Sequence, residues 1–102
     1  MEIQFLYFDG CPNHRTAFDL LTQVLKEKRM VVPIERICIK DDDDAVRHRF
    51  IGSPTIRISG LDIEENLGDR LYAKACRVYA ERGRMSGLPT HEMIKKALEE
   101  QQ

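Results

Sequence analysis

The sequence lacks a membrane-length hydrophobic run, an excess of either charge, and a basic and apolar leader at its N-terminus. The first absence excludes a membrane-spanning helix, which needs about 20 apolar residues. Sixteen basic and seventeen acidic residues give a net charge of -1, so no overall field would concentrate nucleic acid or anionic lipid. Because residues 1–5 show no secretory signal, we expect a cytoplasmic protein.

Cysteine is also scarce, with only Cys11, Cys38 and Cys76 in the chain. An odd number of cysteines in a reducing compartment indicates reduced thiols rather than a disulfide framework. The remaining composition, 42% hydrophobic and 32% charged, is that of a globular protein. A length of 102 residues suits one core, and we predict a single domain over residues 1–102.

Strand and helix patterns alternate along the chain. Period-two or continuously apolar runs predict strands at residues 3–8, 32–40, 55–58 and 77–79. Helical spacing predicts helices from residue 12 to the basic cluster at 26–29, over 41–50, and over 90–100. Residues 61–75 show no clear pattern. The order β-α-β-α-β-β-α predicts an α/β fold.

Two short motifs occupy turns of this pattern. Gly-Cys-Pro at 10–12 follows the first strand, and Ser-Pro-Thr at 53–55 precedes the third. Occurring together in this order, they resemble the thioredoxin-like superfamily over most of the chain. More narrowly, segments 7–13, 52–56 and 76–79 resemble a group of small bacterial thioredoxin-like proteins, some of which carry an alkylmercury-lyase label. The resemblance implies a central mixed four-stranded sheet of order 4-3-1-2 with flanking helices.

The same resemblance assigns roles to the residues of both turns. It implies that Cys11 is the reactive thiol and that Pro54 is a cis-proline lying against it. The residues implied to bind substrate are Pro12, Asn13, Ser53, Pro54 and Thr55. From the residues alone, a cysteine at a helix N-terminus faces unpaired N–H groups and the positive end of the helix dipole, which favour the thiolate.

His14 stands where dithiol members of the superfamily carry a second cysteine. Without Cys-x-x-Cys, the short-range active-site disulfide is excluded. The three-residue spacing puts His14 on the side of Cys11, where it could stabilise the thiolate, move a proton or serve as a second ligand; an exposed histidine without a role is the alternative. Cys76 is a candidate resolving thiol, but we expect a structural role, because a fourth strand at 77–79 would begin far from Cys11.

Other chemically suggestive residues have simpler explanations. Cys38 lies between two isoleucines and indicates core packing. The acidic run at 41–44 lacks the spacing of a calcium loop and predicts helix capping. His48 and His91 are expected on helix surfaces. A basic group at Arg77, Arg82 and Arg84 is consistent with an anion patch or a solvated turn.

The leading hypothesis is a monothiol oxidoreductase. An accessible Cys11 would attack a small-molecule or protein disulfide, a persulfide or another electrophilic sulfur, and an external thiol would resolve the mixed disulfide. The first alternative is a carrier of a thiophilic metal or metalloid, held by Cys11 with His14; too few ligands are visible for a closed zinc site. The second alternative is a non-catalytic adaptor with a buried thiol. We expect no cofactor and no resident metal.

Overall fold

The apolar run near the N-terminus forms β1 (Ile3–Tyr7), a central strand of a mixed four-stranded sheet. The computed structural model describes residues 1–65, 67–68 and 70–101. β1 pairs in parallel with β2 (Ile34–Cys38) and antiparallel with β3 (Thr55–Ile58). β3 pairs antiparallel with β4 (Leu61–Asp62), so the sheet order is β2-β1-β3-β4.

In the described part of the chain, three helices accompany this sheet: α1 (His14–Glu27), α2 (Asp42–Arg47) and α3 (His91–Glu100). Successive strand residues point to opposite faces, and Phe5 and Leu6 accordingly belong to different core clusters. Phe5 packs with the buried sides of α1 and α3, whereas Leu6 packs with Ala45 of α2. None of these helices is long and apolar enough to cross a membrane.

The acidic run at 41–44 caps α2, which confirms the capping prediction. The Asp41 side chain accepts a hydrogen bond from the Asp44 N–H at 2.7 Å. The remaining aspartates lie in the first helical turn, where negative charge opposes the helix dipole favourably. Thr90 caps α3 in the same way, through the N–H of Met93 at 3.1 Å.

The prediction that residues 77–79 form the fourth strand of this sheet is wrong. β4 takes that position, so the order of chain segments differs from the predicted one. Ser59 and Gly60 have φ of 54° and 82°, and this two-residue turn folds the chain directly back onto β3. Tyr79 instead begins β5 (Tyr79–Glu81), which forms a separate hairpin with β6 (Arg84–Ser86).

The first helix begins later than the sequence predicts. Its N-cap is Asn13 and its first residue is His14, so Pro12 precedes the helix instead of occupying its first position. The Cys11 N–H donates to the Phe8 carbonyl at 3.1 Å. The turn closed by this bond connects β1 to α1, and Cys11 lies just before the helix N-terminus.

Candidate functional site

Cys11 lies in the turn between β1 and α1, and its side chain is buried. Only 3% of the residue is exposed. Its thiol donates a hydrogen bond to the Ser53 carbonyl at 3.6 Å, which joins this turn to the loop that precedes β3. The expectation of an accessible Cys11 is therefore wrong, because the fold covers the thiol.

The loop before β3 is paired with a later part of the same chain. The Ser53–Pro54 peptide bond is cis. The Ser53 N–H donates to the Ala75 carbonyl at 2.8 Å, and the Ser53 carbonyl accepts from the Arg77 N–H at 3.1 Å. These two bonds form a parallel bridge between Ser53 and Cys76. Residues 75–77, named the strap below, thus run alongside Ser53.

The strap brings Cys76 to Cys11. Both cysteines meet at Ser53, since the Cys11 thiol donates to its carbonyl and Cys76 lies opposite it in the bridge. Cys76 itself is exposed at the surface. Partial burial raises the pKa of Cys76, and the nearby Cys11 thiol raises this pKa further. The expectation that Cys76 lies far from Cys11 is wrong, because it depended on a fourth strand at 77–79.

The position of Cys76 is fixed by its neighbour Arg77, whose side chain is 1% exposed. Its guanidinium donates two hydrogen bonds to Asp62, at 2.8 and 3.1 Å, and one to Glu64 at 2.9 Å. A fourth bond reaches the Thr55 hydroxyl at 3.1 Å. Arg77 is therefore neither part of an anion patch nor in a solvated turn. It fastens the strap to β3, β4 and the residues that follow them.

Tyr79 attaches the other side of the strap to the cis-proline loop. Its hydroxyl donates to the Pro54 carbonyl at 2.6 Å, and the centroid of its ring lies 3.9 Å from the Arg77 guanidinium carbon. Burial raises the pKa of Tyr79, which keeps the phenol protonated as a donor. From the sequence, Arg77 is considered only for an anion patch or a solvated turn, and Tyr79 is assigned no role.

The substrate-binding residues implied by the resemblance lie in different surroundings. Pro12 is exposed and Asn13 is half-buried at the start of α1. Ser53, Pro54 and Thr55 are buried, and their polar backbone or side-chain groups bond within the chain. The Ser53 hydroxyl is an exception, since among the described residues it has no hydrogen-bond partner.

His14 packs against β1. Its ring stacks on that of Tyr7, with centroids 4.8 Å apart. Its Nδ1 atom is buried and has no hydrogen-bond partner in the part of the chain that the structure describes. The structure thus brings Cys11, Ser53 and Cys76 together and gives His14 an aromatic neighbour.

Within residues 1–65, 67–68 and 70–101, no group of three or more His, Cys, Asp or Glu side chains is arranged to hold a metal ion. Cys38, predicted to pack in the core, is half-buried in β2. The site is therefore defined by two thiols.

Replacing Cys11 with Ala should lower the pKa of Cys76. The substitution removes the neighbouring thiol but leaves the partial burial that is the largest cause of the raised pKa, so the fall should be incomplete. Alkylation of Cys76 followed as a function of pH measures this pKa, since only the thiolate reacts. An unchanged pH profile would show that the two sulfurs do not interact in solution.

No protein-family model, curated protein or solved structure matches this chain.

Proposed function

We propose that this chain is a thiol–disulfide oxidoreductase whose redox centre is the Cys11–Cys76 pair, on a thioredoxin-like framework. The observation that carries the proposal is the meeting of both cysteines at Ser53, where the Cys11 thiol bonds the carbonyl and Cys76 lies opposite in the bridge. Two cysteines held beside one residue can form a disulfide, with an S–S distance of about 2.05 Å, if their side chains turn toward each other. The meeting of the Cys11 turn with the loop before β3 agrees with what the resemblance to thioredoxin-like proteins implies.

The pair would form and break an internal disulfide, as the two cysteines of Cys-x-x-Cys do, although Cys11 and Cys76 are distant in sequence. A substrate disulfide accepts two electrons and becomes two thiols, while the pair loses two protons and two electrons and forms one S–S bond. A small thiol or a dithiol protein would then reduce the pair again. Cys76 therefore takes the place of the external thiol that a monothiol enzyme requires.

Oxidised glutathione should convert the reduced protein to a form with one internal disulfide. We expect non-reducing peptide mapping to find Cys11 joined to Cys76, with the third thiol, Cys38, still free for alkylation. Cys38→Ser serves as the control and should form the same disulfide. Retention of all three thiols under oxidant, or a disulfide that includes Cys38, would contradict the proposed function.

A carrier of a soft metal ion is the second candidate, and the placement of both cysteines at Ser53 favours it. Thiolates are the ligands that Cu(I) selects, and two neighbouring sulfurs suffice for a low-coordinate ion. Under this function, Cu(I) added without oxidant would protect both Cys11 and Cys76 from alkylation. A protein whose thiols neither oxidise as a pair nor bind the ion would be the non-catalytic adaptor.

A further inference from the structure

The two thiols of the pair differ sharply in their access to solvent. Cys11 is 3% exposed, whereas Cys76 is exposed at the surface. Thiol–disulfide exchange requires the attacking sulfur to reach the substrate disulfide, and its rate depends on that access. A bulky disulfide can therefore approach Cys76 directly, but it can approach Cys11 only if the covering chain moves away.

The strap resists such a movement. Both backbone polar groups of Ser53 are bonded to it, and Arg77 is held by the buried carboxylates of Asp62 and Glu64. Displacing the strap would separate ion pairs that are largely shielded from water, and breaking such pairs is strongly unfavourable. The Ser53 loop that accepts the Cys11 hydrogen bond is therefore held in place, while Cys76 is available at the surface.

We infer that Cys76 exchanges with the substrate and that Cys11 is the internal resolving thiol, the reverse of the roles that the sequence suggests. This order of events rests on the proposed function. In the first step the Cys76 thiolate attacks a substrate disulfide, forms a mixed disulfide and releases one substrate thiolate. In the second, the Cys11 thiolate attacks the Cys76 sulfur from the buried side, forms the Cys11–Cys76 disulfide and releases the other substrate thiolate. Both released thiolates take up protons from solvent.

The placement of both cysteines at Ser53 suits the second step. Once a substrate sulfur is attached to the exposed Cys76, the buried Cys11 already lies on the protein side of it. Attack from within then expels the substrate outward into solvent. A fixed neighbour also makes this step intramolecular, which favours it over attack by a second external thiol.

Two variants in a Cys38→Ser background test the assignment with oxidised glutathione as the probe. Cys11→Ala should accumulate a stable glutathione adduct on Cys76, because the resolving thiol is absent. Cys76→Ala should react at Cys11 at least about tenfold more slowly, because access limits the rate. Peptide mapping locates each adduct, and equal thermal unfolding midpoints show that the variants remain folded.

Alkylation of the reduced wild-type protein gives a second measurement that needs no substitution at the pair. Cys76 should be labelled before Cys11. Faster labelling of Cys11, or an adduct that forms on Cys11 in Cys76→Ala as fast as on Cys76 in Cys11→Ala, would overturn the assignment. In that event a Cys11–Cys76 disulfide in the wild-type protein would still uphold the proposed function, whereas its absence would refute the function itself.

Discussion

Replacing Arg77 with Met is expected to lower the free energy of unfolding by about 3–5 kcal/mol, the range for breaking one side of a buried ion pair. Methionine retains most of the apolar stem and removes the guanidinium. The Asp62 and Glu64 carboxylates, with side chains only 13% and 8% exposed, would then lack the cation that offsets their desolvation. Chemical denaturation of the reduced protein measures the loss.

A charge-matched variant separates the ion pairs from the packing of Arg77. Adding Asp62→Asn and Glu64→Gln to Arg77→Met removes the uncompensated charges, and we expect it to recover most of the lost stability. Arg84→Met, at an exposed residue of β6, should change stability by no more than about 0.5 kcal/mol. If Arg77→Met costs less than about 1 kcal/mol, the network behaves as an exposed ion pair does.

Loss of Arg77 should also affect the redox pair. Without its side-chain bonds, the strap keeps the backbone bridge to Ser53 and the attachment through Tyr79, and Cys76 is held less firmly near Cys11. We expect slower formation of the internal disulfide and faster alkylation of Cys11. A stability loss with unchanged thiol chemistry would show that Arg77 supports the fold alone.

Local sequence patterns were sufficient for the elements that build the sheet and the helices. The apolar run of β1, the alternation of β3 and the helical spacing of α1 and α3 each depend on near neighbours, and the structure has all four elements. The start of α1 differs from the prediction, because Pro12 belongs to the turn that precedes the helix. The return strand β4 was not predicted, because it lies in residues 61–75, which show no clear pattern.

The central feature of the site could not be predicted in this way. Cys76 comes close to Cys11 because it forms a bridge with Ser53, a residue distant from both cysteines in the sequence. Residues 61–75, which precede Cys76, show no periodicity from which this bridge could be predicted. Arg77 lies near Arg82 and Arg84, so its sequence context is that of a solvated basic turn. Only the tertiary fold places two carboxylates beside it.

The Gly52→Ala substitution is expected to have the second large effect, because it acts at the contact between the cis-proline loop and the strap. Gly52 has a φ of 145°, a conformation that L residues rarely adopt. A Cβ atom placed there would lie 2.5 Å from the Cβ of Arg77 and 3.0 Å from its backbone nitrogen. The atoms in the way belong to a buried and bonded residue, so the strap itself must shift.

Gly60→Ala provides a control that separates strain from collision. Gly60 also has a positive φ, 82°, but a Cβ atom there would meet nothing within 4 Å. Its substitution should cost about 1–2 kcal/mol for the left-handed conformation alone, whereas Gly52→Ala should cost more than this and should also slow formation of the Cys11–Cys76 disulfide. Denaturation together with the rate of disulfide formation measures both effects.

Equal costs at the two glycines, with equal rates of oxidation, would mean that the strap accommodates the methyl group and does not hold Cys76 tightly. A larger cost at Gly52 with slower oxidation would instead tie the reactivity of the pair to the close approach of Gly52 and Arg77.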